Sequence, residues 1–139
     1  MRRLDSFFGE SIRSAKYYKN ATIEHVLPQI VNKKNISWYK DQNLDESTKE
    51  KWVNRIGNLV LLSRRKNSSA QNYDLKTKQD VYFKKGNTST IYPITTTVSN
   101  APTWTINDVK TRQKSYLRKF IATWNFTISE KQLDGLIEE

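Results

Sequence analysis

His25 is the only histidine in this chain of 139 residues, and it lies within Thr22-Ile23-Glu24-His25-Val26-Leu27-Pro28-Gln29. An unperturbed imidazole changes charge near neutral pH, which suits it to general-base catalysis. Glu24 directly precedes it, and Asn58 and Asn67 follow, nine residues apart. Hydrolysis of a phosphodiester needs a base to deprotonate water and a cation to stabilise charge on the phosphate and the leaving oxygen. It also needs a group that holds the base in orientation. His25 suits the first role. Asn58, at a turn beside a strand, can orient the imidazole by hydrogen bonding. Asn67, at the start of a helix, can offer a carbonyl oxygen to a hard cation such as Mg²⁺. Adjacent side chains on a strand point to opposite faces, so Glu24 and His25 can share a metal site only where the strand bends or ends. Pro28 supplies such an end. Each residue also has an ordinary structural role: a core histidine, a solvated carboxylate, a turn residue after Gly57, a helix cap. The chemical reading rests on their occurring together at this spacing.

The elements that must position these residues follow from pattern. Leu4, Phe7, Phe8 and Ile12 recur at helical spacing, so residues 1–20 read as an N-terminal helix. It starts without a cap, which points to a segment of a longer protein. Residues 21–27 form a short strand carrying His25. Residues 29–46 are polar, with Trp38 and Tyr39 as anchors. Ser47 to Arg55 reads as a short helix, with Ser47 and Glu50 as a capping box and Trp52 and Ile56 facing the core. Gly57-Asn58 marks a turn before Leu59-Val60-Leu61-Leu62, a buried strand. Asn67-Ser68-Ser69 can cap a helix running to about Phe83, and residues 86–103 read as an extended loop. Thr105 caps the clearest helix, whose apolar stripe is Ile106, Val109, Tyr116, Leu117, Phe120, Ile121 and Trp124. A final helical turn or two falls within Ser129 to Glu139.

The chain carries 24 basic and 14 acidic residues, a net charge of +10, so a small domain this basic expects an anionic partner, nucleic acid first. Arg64, Arg65 and Lys66, with Lys76, are the candidate phosphate contacts. The absence of cysteine excludes disulfides and cysteine-ligated zinc, and fits a reducing cytoplasm. No apolar run approaches the roughly 18 residues that a membrane span requires. A cytoplasmic protein is expected.

Glu24-His25-x-x-Pro28, then Asn58-Leu59-x-x-Leu62, then Asn67, resembles the HNH nuclease motif of the His-Me-finger or ββα-metal fold. The resemblance implies His25 as general base, Glu24 and Asn67 as metal ligands, and Asn58 as the residue that positions the base. The chain has Glu24 where many members have Asp. Ser63 and Lys66 stand where members with a structural zinc carry cysteines. Leu59, Leu61, Leu62 and Trp52 are the candidates to hold the finger by packing. A narrower likeness takes in Ile23 to Gln29, Ile56 to Leu62, Asn67 with Asn72, and Trp104 through Arg112 to Trp124. Together these resemble the C-terminal nuclease domain of GmrSD-type restriction proteins, which cleave modified phage DNA. The resemblance implies an N-terminal NTP-using sensor domain or separate subunit that this chain does not contain.

The expectation is therefore one α+β domain over residues 1–139. Its ββα-metal core spans 21–83, and a loop and C-terminal helices span 84–139. The expected function is metal-dependent DNA endonuclease activity with Mg²⁺ or Mn²⁺, in restriction of foreign or modified DNA. One such site cuts one strand, so a double-strand break calls for a dimer or two visits. The alternatives are a degenerate DNA-binding module and a toxin-like nuclease acting on RNA.

Overall fold

A computed structural model describes residue 1 and residues 18–65, 72–83 and 92–138. The expected helix at the N-terminus, the cap at Asn67 and the cation Lys66 lie outside the described residues. The fold is α+β: two antiparallel strands, β1 (Ala21–His25) and β2 (Leu59–Ser63), with helices around them. Their register pairs Ala21 with Ser63 and His25 with Leu59. Helices α1 (Ile36–Asp41) and α2 (Glu46–Val53) and a single 3₁₀ turn (Ile56–Asn58) lie between the strands. After β2 come α3 (Leu75–Lys78), running into a π-helical turn over Gln79–Phe83, then α4 (Pro93–Ser99), α5 (Ile106–Thr123) and α6 (Glu130–Glu138). No helix among the described residues is long and apolar enough to cross a membrane.

Both strands begin and end where the pattern placed them within two residues, because Pro28 and Gly57-Asn58 interrupt the ladder. Val26 and Leu27, just past β1, join Tyr39, Trp52, Val60, Leu62, Phe83, Val98, Trp104 and Val109 in the main core. A second cluster packs Leu61 against Tyr18, Tyr92, Ile94 and Tyr116. Side chains of β2 thus enter two cores from its two faces, and this explains why Val60, Leu61 and Leu62 are all buried.

Four sequence expectations change. Helix α2 is capped by Asp45, whose carboxylate accepts from the Thr48 amide at 2.6 Å, so Ser47 and Glu50 make no capping box. Residues 36–41 form a helix within the stretch read as polar connection, with Tyr39 buried and its hydroxyl donating to the Pro28 carbonyl. The helix before Phe83 is a single α turn capped by Asp74, followed by the π turn. The expected loop over 86–103 contains α4. Its Ile-Thr-Thr-Thr-Val run is a poor helix former by propensity. Pro93 starts it with a suitable fixed φ, and burial of Ile94 and Val98 outweighs the propensity.

The cap at Thr105 is present in full. Its hydroxyl accepts from the Asp108 amide, and the Asp108 carboxylate accepts from the Thr105 amide at 2.7 Å. The buried face of α5 is Val109, Arg112, Gln113 and Tyr116, so two of its four core-facing residues are polar. Arg112 donates to the carbonyls of Gly57 at 3.0 Å, Leu59 at 3.1 Å and Ile94 at 2.6 Å. Gln113 accepts from the Gly57 amide at 2.8 Å. Thr95 donates to the Leu61 carbonyl and accepts from its amide at 3.1 Å, closing that edge of β2. These bonds, together with apolar packing, hold the finger that lacks cysteines.

Gly57 is pressed against α5: a Cβ there would stand 2.3 Å from the Val109 carbonyl oxygen and 2.9 Å from the Gln113 nitrogen. Gly135, in α6, has open space around its Cα. Gly57→Ala should therefore destabilise by about 1–3 kcal/mol through overpacking. Gly135→Ala should stabilise by about 0.5–1 kcal/mol through helix propensity. Chemical denaturation of the two variants measures both, and a loss of stability at Gly135 or none at Gly57 would contradict this packing.

Candidate active site

His25 is the last residue of β1, half-buried, and Val26 follows with its amide donating to the Asn58 carbonyl at 3.0 Å. The Asn58 side chain is fully buried. Its Oδ1 accepts from the Leu27 amide at 2.8 Å and the Trp104 indole at 3.1 Å. Its Nδ2 donates to the carbonyls of Leu27 at 3.0 Å and Val53 at 2.8 Å. Asn58 was expected to hydrogen-bond the imidazole; its amide is instead spent on the backbone two residues beyond it. Any influence on His25 passes through the chain, since Leu27 and Val26 are fixed on both sides of the exit from β1.

The imidazole meets Asn54, at the C-terminus of α2. His25 Nε2 lies 3.1 Å from Asn54 Oδ1, and Gln29 Nε2 donates to the same oxygen at 3.0 Å. An amide oxygen only accepts, so Nε2 carries the proton in this arrangement and Nδ1 is left with its lone pair. Burial holds the His25 pKa below the ordinary 6.5. The bond to Asn54 opposes this, and the Lys78 charge adds to it. The imidazole is therefore neutral at pH 7, as a base must be. Asn54 carried no signal in the sequence. It is a polar residue at a helix end, and only the packing of α2 across the end of β1 brings it to His25.

Glu24 is on the buried side, 7% exposed, with its Oε1 2.7 Å from Lys78 Nζ. The same ammonium, fully buried, donates to the His25 carbonyl at 2.5 Å and the Val26 carbonyl at 3.3 Å. These three acceptors match the three N–H donors of an ammonium. Burial pushes the Glu24 carboxyl up and the Lys78 ammonium down, and each partner counters the effect on the other. Lys78 was not singled out from the sequence; a lysine four residues after a capping aspartate ordinarily faces solvent. Glu24 and His25 consequently serve different partners on the two sides of the strand end. Among the described residues, no group of three or more His, Cys, Asp and Glu is placed to hold a metal ion. The Glu24 carboxylate, already bound to an ammonium, does not fit the role of metal ligand, and Asn67 lies outside the described residues.

Asn72 braces a loop: its Oδ1 accepts from the Ile30 amide at 3.4 Å and its carbonyl from buried Asn35 at 2.7 Å. Arg64 and Arg65 are exposed and follow Ser63, whose strand partner is Ala21. Four residue steps separate Ala21 from His25, about 13 Å at ordinary strand rise, so these arginines flank the site at a distance. Lys76 is exposed on α3. Nearer to His25 by sequence contact, Arg55 follows Asn54. It lies 5.7 Å from the Trp52 ring centre, with Lys110 at 5.0 Å and Lys51 at 6.0 Å. Three cations on one buried indole form a basic surface that no run of charge in the sequence announced, because Lys110 comes from α5.

Residues 1–119 match the family described as GmrSD restriction endonucleases, C-terminal domain. The chain belongs to that family. The GmrSD C-terminal domain is a restriction endonuclease domain, so this chain is a nuclease domain by family, and the matched span takes in β1, β2 and most of α5. No curated protein and no solved structure matches the chain.

The site makes a direct claim about one proton. Because His25 is the only histidine, its ring nitrogens can be followed without assignment ambiguity by ¹⁵N NMR. The Nε2–H tautomer should dominate at neutral pH, with a midpoint below 6.5. A histidine with a lowered pKa lends the fold stability that is complete above pH 6.5 and lost as pH falls through the folded-state value. An Nδ1–H tautomer, or a midpoint above 6.5, would contradict the arrangement around Asn54.

Proposed function

We propose that this domain hydrolyses phosphodiester bonds in DNA, with His25 as the general base of an HNH-type site, in restriction of foreign or modified DNA. The observation that carries the reading is the placement of His25: half-buried at a strand end, with Nε2 3.1 Å from Asn54 Oδ1. Nδ1 takes a proton from water, and the resulting hydroxide attacks phosphorus in line with the leaving 3′ oxygen. The leaving 3′ oxygen takes a proton from solvent, so the products are a 5′-phosphate and a 3′-hydroxyl. Asn54 then stabilises the imidazolium through the same Nε2–H bond, which strengthens as the ring becomes charged. Asn58 keeps the strand exit in place.

A requirement for Mg²⁺ or Mn²⁺ is part of the proposal, carried by the family motif and by Asn67 and not by Glu24. The partner is duplex DNA, its phosphates meeting the cations around Trp52 together with Arg64, Arg65, Lys66 and Lys76. An N-terminal NTP-using sensor, as a domain or a separate subunit, would supply recognition of modification. Two copies of the domain would serve the two strands.

A plasmid-nicking assay tests this. His25→Ala should lower the nicking rate by about 10²–10⁴-fold while DNA binding persists. EDTA should abolish nicking and Mg²⁺ or Mn²⁺ restore it. Full cleavage by His25→Ala, undiminished activity in EDTA, or a preference for structured RNA over plasmid would each remove part of the proposal. Arg55→Ala and Lys110→Ala should each weaken DNA binding uniformly across sequences. Each should also reduce the salt dependence by about one unit of slope, as expected for loss of one phosphate contact. An unchanged slope in both would place the DNA elsewhere.

A further inference from the structure

We infer that Glu24 serves the active site through Lys78, as half of a buried ion pair that fixes the end of β1, and not as a metal ligand. The inference rests on the reading of His25 as the base. Lys78 Nζ is shielded from solvent and its three donors meet three acceptors: Glu24 Oε1 and the carbonyls of His25 and Val26. Two of these are backbone atoms, one of them on the base residue itself. The ammonium therefore ties α3 to the residue whose ring must stay in place, on the side of the strand away from Asn54.

The two side chains of the Glu-His pair divide the work. His25 faces Asn54, whose Oδ1 also accepts from Gln29. Glu24 faces inward and neutralises the cation that clasps the His25 carbonyl. A divalent ion on that carboxylate would stand beside a buried ammonium, a like-charge contact in a medium that screens poorly. Removing either partner alone leaves an uncompensated buried charge, whereas removing both charges does not. Lys78 is thus a positioning residue, and Glu24 is its counter-ion.

The test uses Glu24→Gln, Lys78→Met and the double variant Glu24→Gln/Lys78→Met. Each is measured for melting temperature, for Mg²⁺ binding by calorimetry and for the Mg²⁺ dependence of plasmid nicking. Lys78→Met should lose at least tenfold in nicking rate and melt lower than the parent. The double variant should recover most of both losses, and Glu24→Gln should keep its half-saturating Mg²⁺ within about twofold. A rise of tenfold or more in half-saturating Mg²⁺ for Glu24→Gln would make Glu24 a metal ligand and overturn the inference. Recovery of melting temperature without recovery of nicking would overturn it too, by reducing the pair to fold stability alone. If both Lys78 variants fail to fold, the Mg²⁺ titration of Glu24→Gln decides. If the parent protein itself does not nick DNA, the nuclease reading has failed. The melting-temperature cycle and Mg²⁺ calorimetry then still judge the pair.

Discussion

The side-chain amide of Asn58 is the junction on which the arrangement of the site depends. It has two donors and two lone pairs, and all four are used: Leu27 amide and carbonyl, Val53 carbonyl, Trp104 indole. One buried side chain thereby joins the exit of β1, the end of α2 and the approach to α5. Were it absent, four polar groups would be left buried without partners, each costing about 1–3 kcal/mol. The consequence for function is geometric. The exit of β1 carries His25 and the end of α2 carries Asn54, so joining them brings the imidazole and the Asn54 amide oxygen within hydrogen-bonding distance.

The same economy appears across the finger. Arg112 is buried with no ion pair to another described residue, held by three carbonyls and lying 5.4 Å from the Trp104 ring centre and 4.9 Å from that of Tyr116. Burial lowers its pKa to about 10, which still leaves it charged at neutral pH. Its carbonyl partners come from the turn before β2, from β2 itself and from α4, so it fixes helices on a two-stranded ladder too small to be stable alone. Directional bonds from Asn58, Arg112, Gln113, Thr95 and Lys78 perform what cysteine-bound zinc does in other fingers. In contrast, the ion pairs of Lys114 and Arg118 with α6 are exposed and contribute little. That helix is held by Leu133 and Ile137.

Much of this was legible in the chain. Short apolar runs and their punctuation by Pro28 and Gly57-Asn58 gave both strands, and Thr105 gave the start of the helix over Ile106–Thr123. What was missed shares one cause. Helix α4 is a Thr-rich run whose local propensity opposes the helix it forms. Helix α5 buries Arg112 and Gln113 where an apolar stripe was read. Lys78 and Asn54 are polar residues whose burial or bonding depends on elements far away in sequence. Pattern reading assigns polar residues to solvent, and it fails where the backbone itself supplies the partners.

The sequence by itself determined the family and the α+β class, and it singled out His25 as the candidate base. Those follow from residue types and short spacings, which survive whatever the rest of the chain does. Tertiary structure alone decided which atoms face His25. It put Asn54 on Nε2, turned Asn58 toward the backbone, and set Lys78 against Glu24. The physical reason is range. Secondary structure answers to neighbours a few residues away, whereas the partners of Glu24 and His25 lie 54 and 29 positions distant. Only the folded packing of α2 and α3 on the strand end brings them within reach.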